Sequence, residues 1–268
     1  MTALDRDVLA ERLVAAERER RTVEPSAKSL PLDEIAAYEV QRAVVGCVQE
    51  RERTRIAGYK LGLTSAAKQR QMSVDRPVYG TLLSSRFHSE GLALDLASLI
   101  HPRVEPEIAV VMRGDLRGPG VTRVEAARAI GDAFAAIEIL DSRYANFAFT
   151  LPDVIADNTS AAYFSSTTSG VPAQSLDLRT LGVVFEKNGE VVATAAGAAT
   201  MGDPLVAIAW LANRLAECGC SLQAGHIVLT GGLTDAIAVA AGDVVAVTIA
   251  RLGSLRLRFM SSLKEGPT

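Results

Sequence analysis

Apolar positions along this chain change their period near residue 56. Before it they recur at steps of three and four, the spacing of one helix face. Leu9, Leu13 and Ala16 predict a charged amphipathic helix over residues 3–21. Pro25 and Pro31 bracket a short linker. A second helix is expected from Asp33, whose carboxylate can cap the free amides of a first turn, with an apolar stripe through Ala37, Val40, Val44 and Cys47. The charge run at 49–55 reads as the solvated end of that helix.

Beyond residue 56, short apolar runs are punctuated by Gly, Pro, Asp and Asn. They predict strands at 57–62, 105–113, 135–141, 181–187, 190–195, 226–230 and 243–250. Lys187-Asn188-Gly189-Glu190 sets Asn-Gly between two β-rich runs, a hairpin signal because such a turn needs positive φ. One later helix is expected, capped by Asp203, with Pro204 in its first turn and Leu205, Ile208, Leu211, Ala212 and Leu215 on its buried face. Gly219 can end it. The organisation is a helical N-terminal region, 1–75, and a β-rich body, 76–268, with no internal repeat. The pattern leaves open whether the two pack as a single domain.

The 268 residues suffice for a substantial core. A net charge of −3 argues against a nucleic-acid binder but leaves room for a local basic pocket. Cys47, Cys218 and Cys220 are odd in number and lack framework spacing, which fits a reducing cytosol. Cys218 and Cys220 have no further Cys or His to complete a soft-metal site. No signal-peptide core follows Met1, and Gly242 and Asp243 interrupt the apolar stretch 236–250. A cytoplasmic protein without a membrane span is expected.

The chemistry concentrates in His101-Pro102-Arg103-Val104-Glu105-Pro106-Glu107 and the apolar run that follows. Residues two apart in a strand share a face, so Glu105 and Glu107 present two carboxylates together. Glu138 interrupts another apolar run, where a charge must be paired or bind a metal. Three carboxylates and no soft ligand suit Mg²⁺ or Mn²⁺. Spacing alone equally allows an exposed strand edge, with Glu138 paired to Arg103 or Arg143. Lys60, in Gly58–Ser65, is either a buried cation needing an anion or an edge lysine. Asp157 to Ser160 is a polar cluster that turn formation would also explain. Thr230-Gly231-Gly232 could bring backbone amides to an anion or simply turn the chain, and it lacks the lysine and spacing of a P-loop. His88, His101 and His226 read as structural, and no G-x-S-x-G elbow is present.

Taken together, Gly58–Ser65, Pro77–Gly80, His101–Val111, Leu140–Phe147, Ala156–Ser160, Asp177–Val184 and Thr230–Thr234 resemble the hydratase and decarboxylase branch of the fumarylacetoacetate hydrolase superfamily. The resemblance covers about residues 30 to 260 and implies an α+β fold, a mixed β-roll with flanking helices. It implies metal ligands at Glu105, Glu107 and Glu138, active-site roles for Lys60, Asp157 and Ser160, and substrate contacts at Leu63, Ser65, Thr230, Gly231 and Gly232. Pro106 stands where the family more often has a small residue, and its side chain should point away from the metal face. The implied activity is Mg²⁺-dependent decarboxylation of 2-oxohex-3-enedioate in aromatic meta-cleavage catabolism; the alternative on the same scaffold is hydration of 2-hydroxypenta-2,4-dienoate. Homo-oligomers, and association with a related vinylpyruvate hydratase, are further implications.

Overall fold

The computed structural model describes residues 2–25, 32–65, 69–70, 74 and 76–262. Helix α1 (Ala3–Glu19) opens on Thr2, whose side chain accepts from the Asp5 amide while the Asp5 carboxylate accepts from the Thr2 amide. Helix α2 (Glu34–Glu52) opens on Asp33, which accepts from the Ala36 amide at 2.8 Å. The expected stripe of α2 needs one correction. Ala37, Val40 and Val44 are buried, but Cys47 is exposed and Val48 takes its place, four residues on from Val44. Of the expected linker, residues 26–31, Pro31 among them, lie outside the described residues.

The strands that follow are β1 (Ile56–Gly62), β2 (Val78–Leu83), β3 (Ala93–Asp95), β4 (Arg103–Met112), β5 (Ile130–Leu140), β6 (Ala161–Ser166) and β7 (Val171–Pro172). They continue as β8 (Gly182–Lys187), β9 (Glu190–Ala196), β10 (Ile227–Leu229), β11 (Ile237–Ala238), β12 (Val244–Ile249) and β13 (Gly253–Met260). Two short helices, α3 (Arg123–Ala129) and α4 (Leu151–Ala156), each start from a Thr–acid capping box. Helix α5 (Pro204–Ala216) buries the five positions expected of it. Past its end, Gly219 takes φ 74° and the Cys220 amide returns to Leu215 O at 3.0 Å.

Both sheets are mixed. The first runs β2-β1-β10-β4-β5-β6, with β11 on β4 and β7 on β5; β1 and β10 are parallel. The second runs β3-β13-β12-β8-β9, with β3 and β13 parallel. The Asn188-Gly189 hairpin joins β8 to β9 as expected, with both residues at positive φ. The fold is the expected α+β arrangement of mixed sheets and flanking helices.

Period-two alternation divides the first sheet into two environments. Val104, Ile108 and Val110 of β4 and Ala133, Ala135, Ile137 and Ile139 of β5 join Val245, Val247, Leu255, Leu257 and Phe259 of the second sheet in one buried cluster. That cluster also takes in Leu9 and Leu13 of α1 and Ala37 and Val40 of α2. The intervening residues point the other way. Ala109, Ala136, Phe164, Leu229 and Leu82 form a separate small cluster on that opposite face. Edge strands β2 and β6 are brought together there: the His88 amide donates to Phe164 O at 2.8 Å, and Asn158, just before β6, bonds Thr81 of β2. The first sheet therefore curls around a small interior, and the polar chemistry lies inside that curl.

Candidate active site

Strands β4 and β5 are antiparallel with Glu105 directly opposite Glu138 and Glu107 opposite Ala136. Cross-strand partners share a face, so all three acids project into the curl. Glu105 is 4% exposed, Glu107 and Glu138 0%. One oxygen from each carboxylate lies within 4.8 Å of the others. Lys60 enters from β1, between β2 and β10, and sets Nζ 3.0 Å from Glu138 Oε1. It is an interior lysine, not an edge one. Glu138 therefore faces Lys60, not Arg103 or Arg143.

The electrostatics are unbalanced. Among the described residues, three buried carboxylates face one buried ammonium. Burial, then Glu138 and Glu105, drive Glu107 well above the usual carboxylate range. Burial pushes Glu138 up to about 7 against the pull of Lys60. Among the described residues, Glu107 Oε1 and Glu138 Oε2 have no hydrogen-bond partner. A buried acceptor without a donor is costly, and so is a cluster of like charges. A hard divalent cation would satisfy both demands with these oxygens alone. The residues therefore fit Mg²⁺ or Mn²⁺.

The chain after β10 is shaped around the acids. Thr230 Oγ1 donates to Ile108 O at 2.9 Å, and the Gly231 amide donates to Glu107 Oε2 at 2.6 Å. Gly231 takes φ 116°, and a Cβ at Gly232 would lie 2.1 Å from Glu105 Oε2. The glycine pair thus lets backbone close on the carboxylates, a nearer role than the anion contact that the sequence suggested.

Outside the acids lies a cavity of about 470 Å³, lined by Lys60, Gly62, Leu63, Arg103, Glu105, Leu140, Asn146, Phe147, Phe149, Val154, Thr159, Ser160, Asp235 and Ala236. Of the residues singled out in the sequence, Lys60, Leu63, Glu105 and Ser160 reach this wall. Glu107, Glu138, Thr230 and Asp157 are buried beneath it. Ser65, Gly231 and Gly232 are absent from the lining. Asp157 accepts from Ser160 Oγ at 3.2 Å, from the Arg143 amide at 3.2 Å and, in a short contact, from Arg143 Nε. Burial raises its carboxyl to about 6, against the pull of Arg143. None of the three histidines lines the cavity. His88 and His101 bond backbone carbonyls, and His226 Nδ1 accepts from the Gln223 amide.

Sequence reasoning did not single out Thr159, Asn146, Phe147 or Phe149 as lining residues. Nothing in residue type marks them. The backbone marks three of them: Asn146, Phe147 and Thr159, with Asn158 and Ser160 beside Thr159, sit at φ between 49° and 57°, and Phe149 carries no such mark. Left-handed non-glycine residues cluster where a fold holds a site against local preference.

The family model described as the fumarylacetoacetate hydrolase C-terminal domain matches residues 49–260. A 4-oxalocrotonate decarboxylase of Pseudomonas putida is 42% identical over 94% of this chain and 96% of its own. A 2-keto-4-pentenoate hydratase of Burkholderia vietnamiensis is 38% identical over 94% and 96%. The solved 4-oxalocrotonate decarboxylase from Pseudomonas putida G7, complexed with magnesium and adipate, superposes with a TM-score of 0.93 at 41% identity, covering 97% of this chain and 99% of that one.

Proposed function

We propose that this chain, which belongs to the fumarylacetoacetate hydrolase family, is a Mg²⁺-dependent carboxy-lyase that converts 2-oxohex-3-enedioate (4-oxalocrotonate) to 2-hydroxypenta-2,4-dienoate and CO₂. The observation that carries the reading is the set of three buried carboxylates converging within 4.8 Å beneath an open cavity. Support for the substrate comes from the decarboxylase relatives and from the adipate, a six-carbon diacid, in the solved one.

Mg²⁺ held by Glu105, Glu107 and Glu138 would supply a Lewis acid for the 2-oxo acid end of the substrate. In the reaction the C5–C6 bond breaks and its electron pair becomes the C4=C5 bond. The C3=C4 pair moves to C2=C3, and the carbonyl pair moves onto the C2 oxygen, which takes up a proton. The substrate is its own electron sink, so no organic cofactor is needed. Lys60 places an ammonium at the floor of the cavity, where negative charge develops. Its ammonium is also a proton donor for the C2 oxygen. Ser160 lines the cavity with its hydroxyl donating to Asp157, and orients the substrate or a water. Asp157, fully buried, acts through Ser160 as a positioning residue. Leu63 contributes an apolar wall. Thr230, Gly231 and Gly232 shape the acids, and Ser65 belongs to the same binding region.

The test is purified protein with Mg²⁺ and fresh 2-oxohex-3-enedioate, followed by ultraviolet absorbance and CO₂ release beside a metal-free control. Metal-dependent CO₂ release is expected. No CO₂, with consumption of 2-hydroxypenta-2,4-dienoate in a parallel cuvette, assigns the hydratase chemistry of the 38% identical relative instead. The proposal extends to a cytoplasmic place in aromatic meta-cleavage catabolism, and among the described residues no helix is long and apolar enough to cross a membrane. It also extends to homo-oligomers and a complex with a vinylpyruvate hydratase, both open to sedimentation of the protein alone and mixed with such a hydratase.

A further inference from the structure

The acidic centre accounts for one end of a 2-oxo diacid, and the other end carries a second negative charge. We infer that Arg103 receives this distal carboxylate and sets the preference for diacids over monoacids, an inference that rests on the decarboxylase reading above.

Four observations converge on this residue. Arg103 begins the strand that carries the acids and lies on their face, because 103, 105 and 107 share one side of β4. Its cross-strand partner is Leu140, as Glu138 is that of Glu105. Arg103 is therefore one two-residue step out from the centre, about 6.7 Å along the strand. Five C–C bonds of about 1.5 Å each span roughly 6 Å between the terminal carbons of an extended six-carbon diacid. That step, measured between backbone positions, roots Arg103 outward of the acids on the scale of the substrate's length.

The side chain is also held ready. Its guanidinium lies over the Phe147 ring, 4.3 Å from the centroid. Phe147 is stacked in turn on His101 at 5.0 Å, and His101 Nε2 is fixed 2.8 Å from Ser142 O. Stacking occupies the face of a guanidinium and leaves its in-plane N–H donors available for a carboxylate. Among the described residues Arg103 forms no ion pair. It lines the cavity, where the charged groups among the described residues are Lys60 and Glu105 of the centre, Arg103 and Asp235. Leu140, Phe149 and Val154 supply apolar wall, so an anion reaching Arg103 is partly shielded from water.

The chemistry fixes which kinetic constant must respond. The distal carboxylate leaves as CO₂ and sheds its charge on the way to the transition state. A contact to it is stronger in the ground state than at the barrier, so Arg103 acts on KM and does not raise kcat. It is a specificity-determining residue.

The experiment compares 2-oxohexanedioate with 2-oxohexanoate, the monoacid of equal length, by calorimetric binding to Mg²⁺-loaded wild type, Arg103→Gln and Arg103→Lys. The saturated diacid has no path from its C5–C6 bond to the carbonyl, so it binds without turning over. Wild type should prefer the diacid at least about tenfold, the order expected of a charge-assisted hydrogen bond. In Arg103→Gln the preference should collapse with monoacid affinity unchanged, Arg103→Lys should restore part of it, and the KM for 2-oxohex-3-enedioate should rise while kcat does not fall. Equal loss of both ligands, a diacid preference retained in Arg103→Gln, or no preference in wild type would each overturn the assignment. If one variant fails to fold, the other reads the same preference, and the wild-type comparison alone can still overturn the assignment. If neither acid binds wild type with Mg²⁺, the 2-oxo acid function itself fails, and this inference with it.

Discussion

Removing one buried acid should make the metal-free protein more stable while destroying its metal site, and Glu107→Gln is the sharpest case. Glu107 is 0% exposed, and its carboxylate has an oxygen within 4.8 Å of one each from Glu105 and Glu138. At that distance and an effective dielectric of 20, each like-charge pair costs about 3.5 kcal/mol. Two such pairs, about 7 kcal/mol, exceed the cost of protonating the group, so without metal the protein takes up a proton instead. From the ordinary carboxyl value of 4.5, holding a proton at pH 7 costs about 3.4 kcal/mol at 1.36 kcal/mol per unit. Glutamine is nearly isosteric, needs no proton and can still accept from the Gly231 amide. The variant should therefore gain about 3 kcal/mol at pH 7, or roughly 6–12 °C in Tm for a chain of this size. The sign follows from linkage. Glu107 is raised in the folded state, so the wild-type contribution is full below pH 4.5 and is lost as pH rises; the advantage of glutamine should shrink toward pH 4.5. Thermal unfolding in EDTA, with and without excess Mg²⁺, reads both effects. At 100 times its Kd, Mg²⁺ should add about 2.7 kcal/mol to wild type and much less to the variant. A variant less stable than wild type in EDTA, or an equal Mg²⁺ response in both, would refute the reasoning.

Lys60→Met leaves buried Glu138 without its ion-pair partner, so the metal-free protein should lose about 3–5 kcal/mol in denaturant titrations. Its Mg²⁺ affinity should rise while turnover falls at least about 100-fold; near-normal turnover would remove Lys60 from the mechanism. Gly232→Ala places a Cβ 2.1 Å from Glu105 Oε2, so Glu105 must swing away. Calorimetry should then show Mg²⁺ binding weakened by about tenfold or more, with the fold retained by circular dichroism. Burial alone would raise Asp243, but Lys187, Asn188 and the Ala240 amide hold its carboxyl down at about 2. Its stabilisation is present above pH 3.8 and lost as pH falls through about 2. Asp243→Ala should cost about 1 kcal/mol at neutral pH, after allowing for its partial exposure, and almost nothing at pH 2.

How far the sequence could be read depended on how local each signal was. Helices α1, α2 and α5 and the Asn188-Gly189 hairpin rest on caps and turns within a few residues, and they appear where those residues stand. Strand β13 carried a plain alternation, buried at Leu255, Leu257 and Phe259, yet its arginines made it easy to pass over. Helices α3 and α4 are only 7 and 6 residues long, and their marks were a Thr–acid spacing that also occurs in turns and, in α4, Pro152 in the first turn. For the site, alternation put Glu105 and Glu107 on one face without saying what lay opposite. That Glu138 is the partner of Glu105 depends on β4–β5 register, and the Lys60 contact on β10 lying between β1 and β4. Neither is local. The pairing of Arg143 with Asp157 was equally hidden, because residues 14 apart meet only once α4 has turned the chain back.

The segment Asn158-Thr159-Ser160 shows why fold and site are not separable here. Three consecutive left-handed residues without a glycine cost about 1–2 kcal/mol each. The turn persists because its side chains replace missing strand contacts. Asn158 accepts from the Thr81 amide at 2.7 Å and donates to the Thr81 carbonyl at 2.9 Å, as a neighbouring strand would. Thr159 Oγ1 donates to Tyr79 O at 2.8 Å. Each bond returns about 1 kcal/mol net, so the three offset much of the strain. Gly80 and Gly62 make the docking possible, since a Cβ at either would lie 2.5 Å from Asn158 O or 2.7 Å from Thr159 Cγ2. The same turn that ties β6 to β2, and so closes the curl, brings Thr159 and Ser160 to the cavity wall beside Lys60. A substitution that relaxed it would open the sheet and withdraw Ser160 together, so selection for the chemistry and selection for the closed sheet fall on the same three residues.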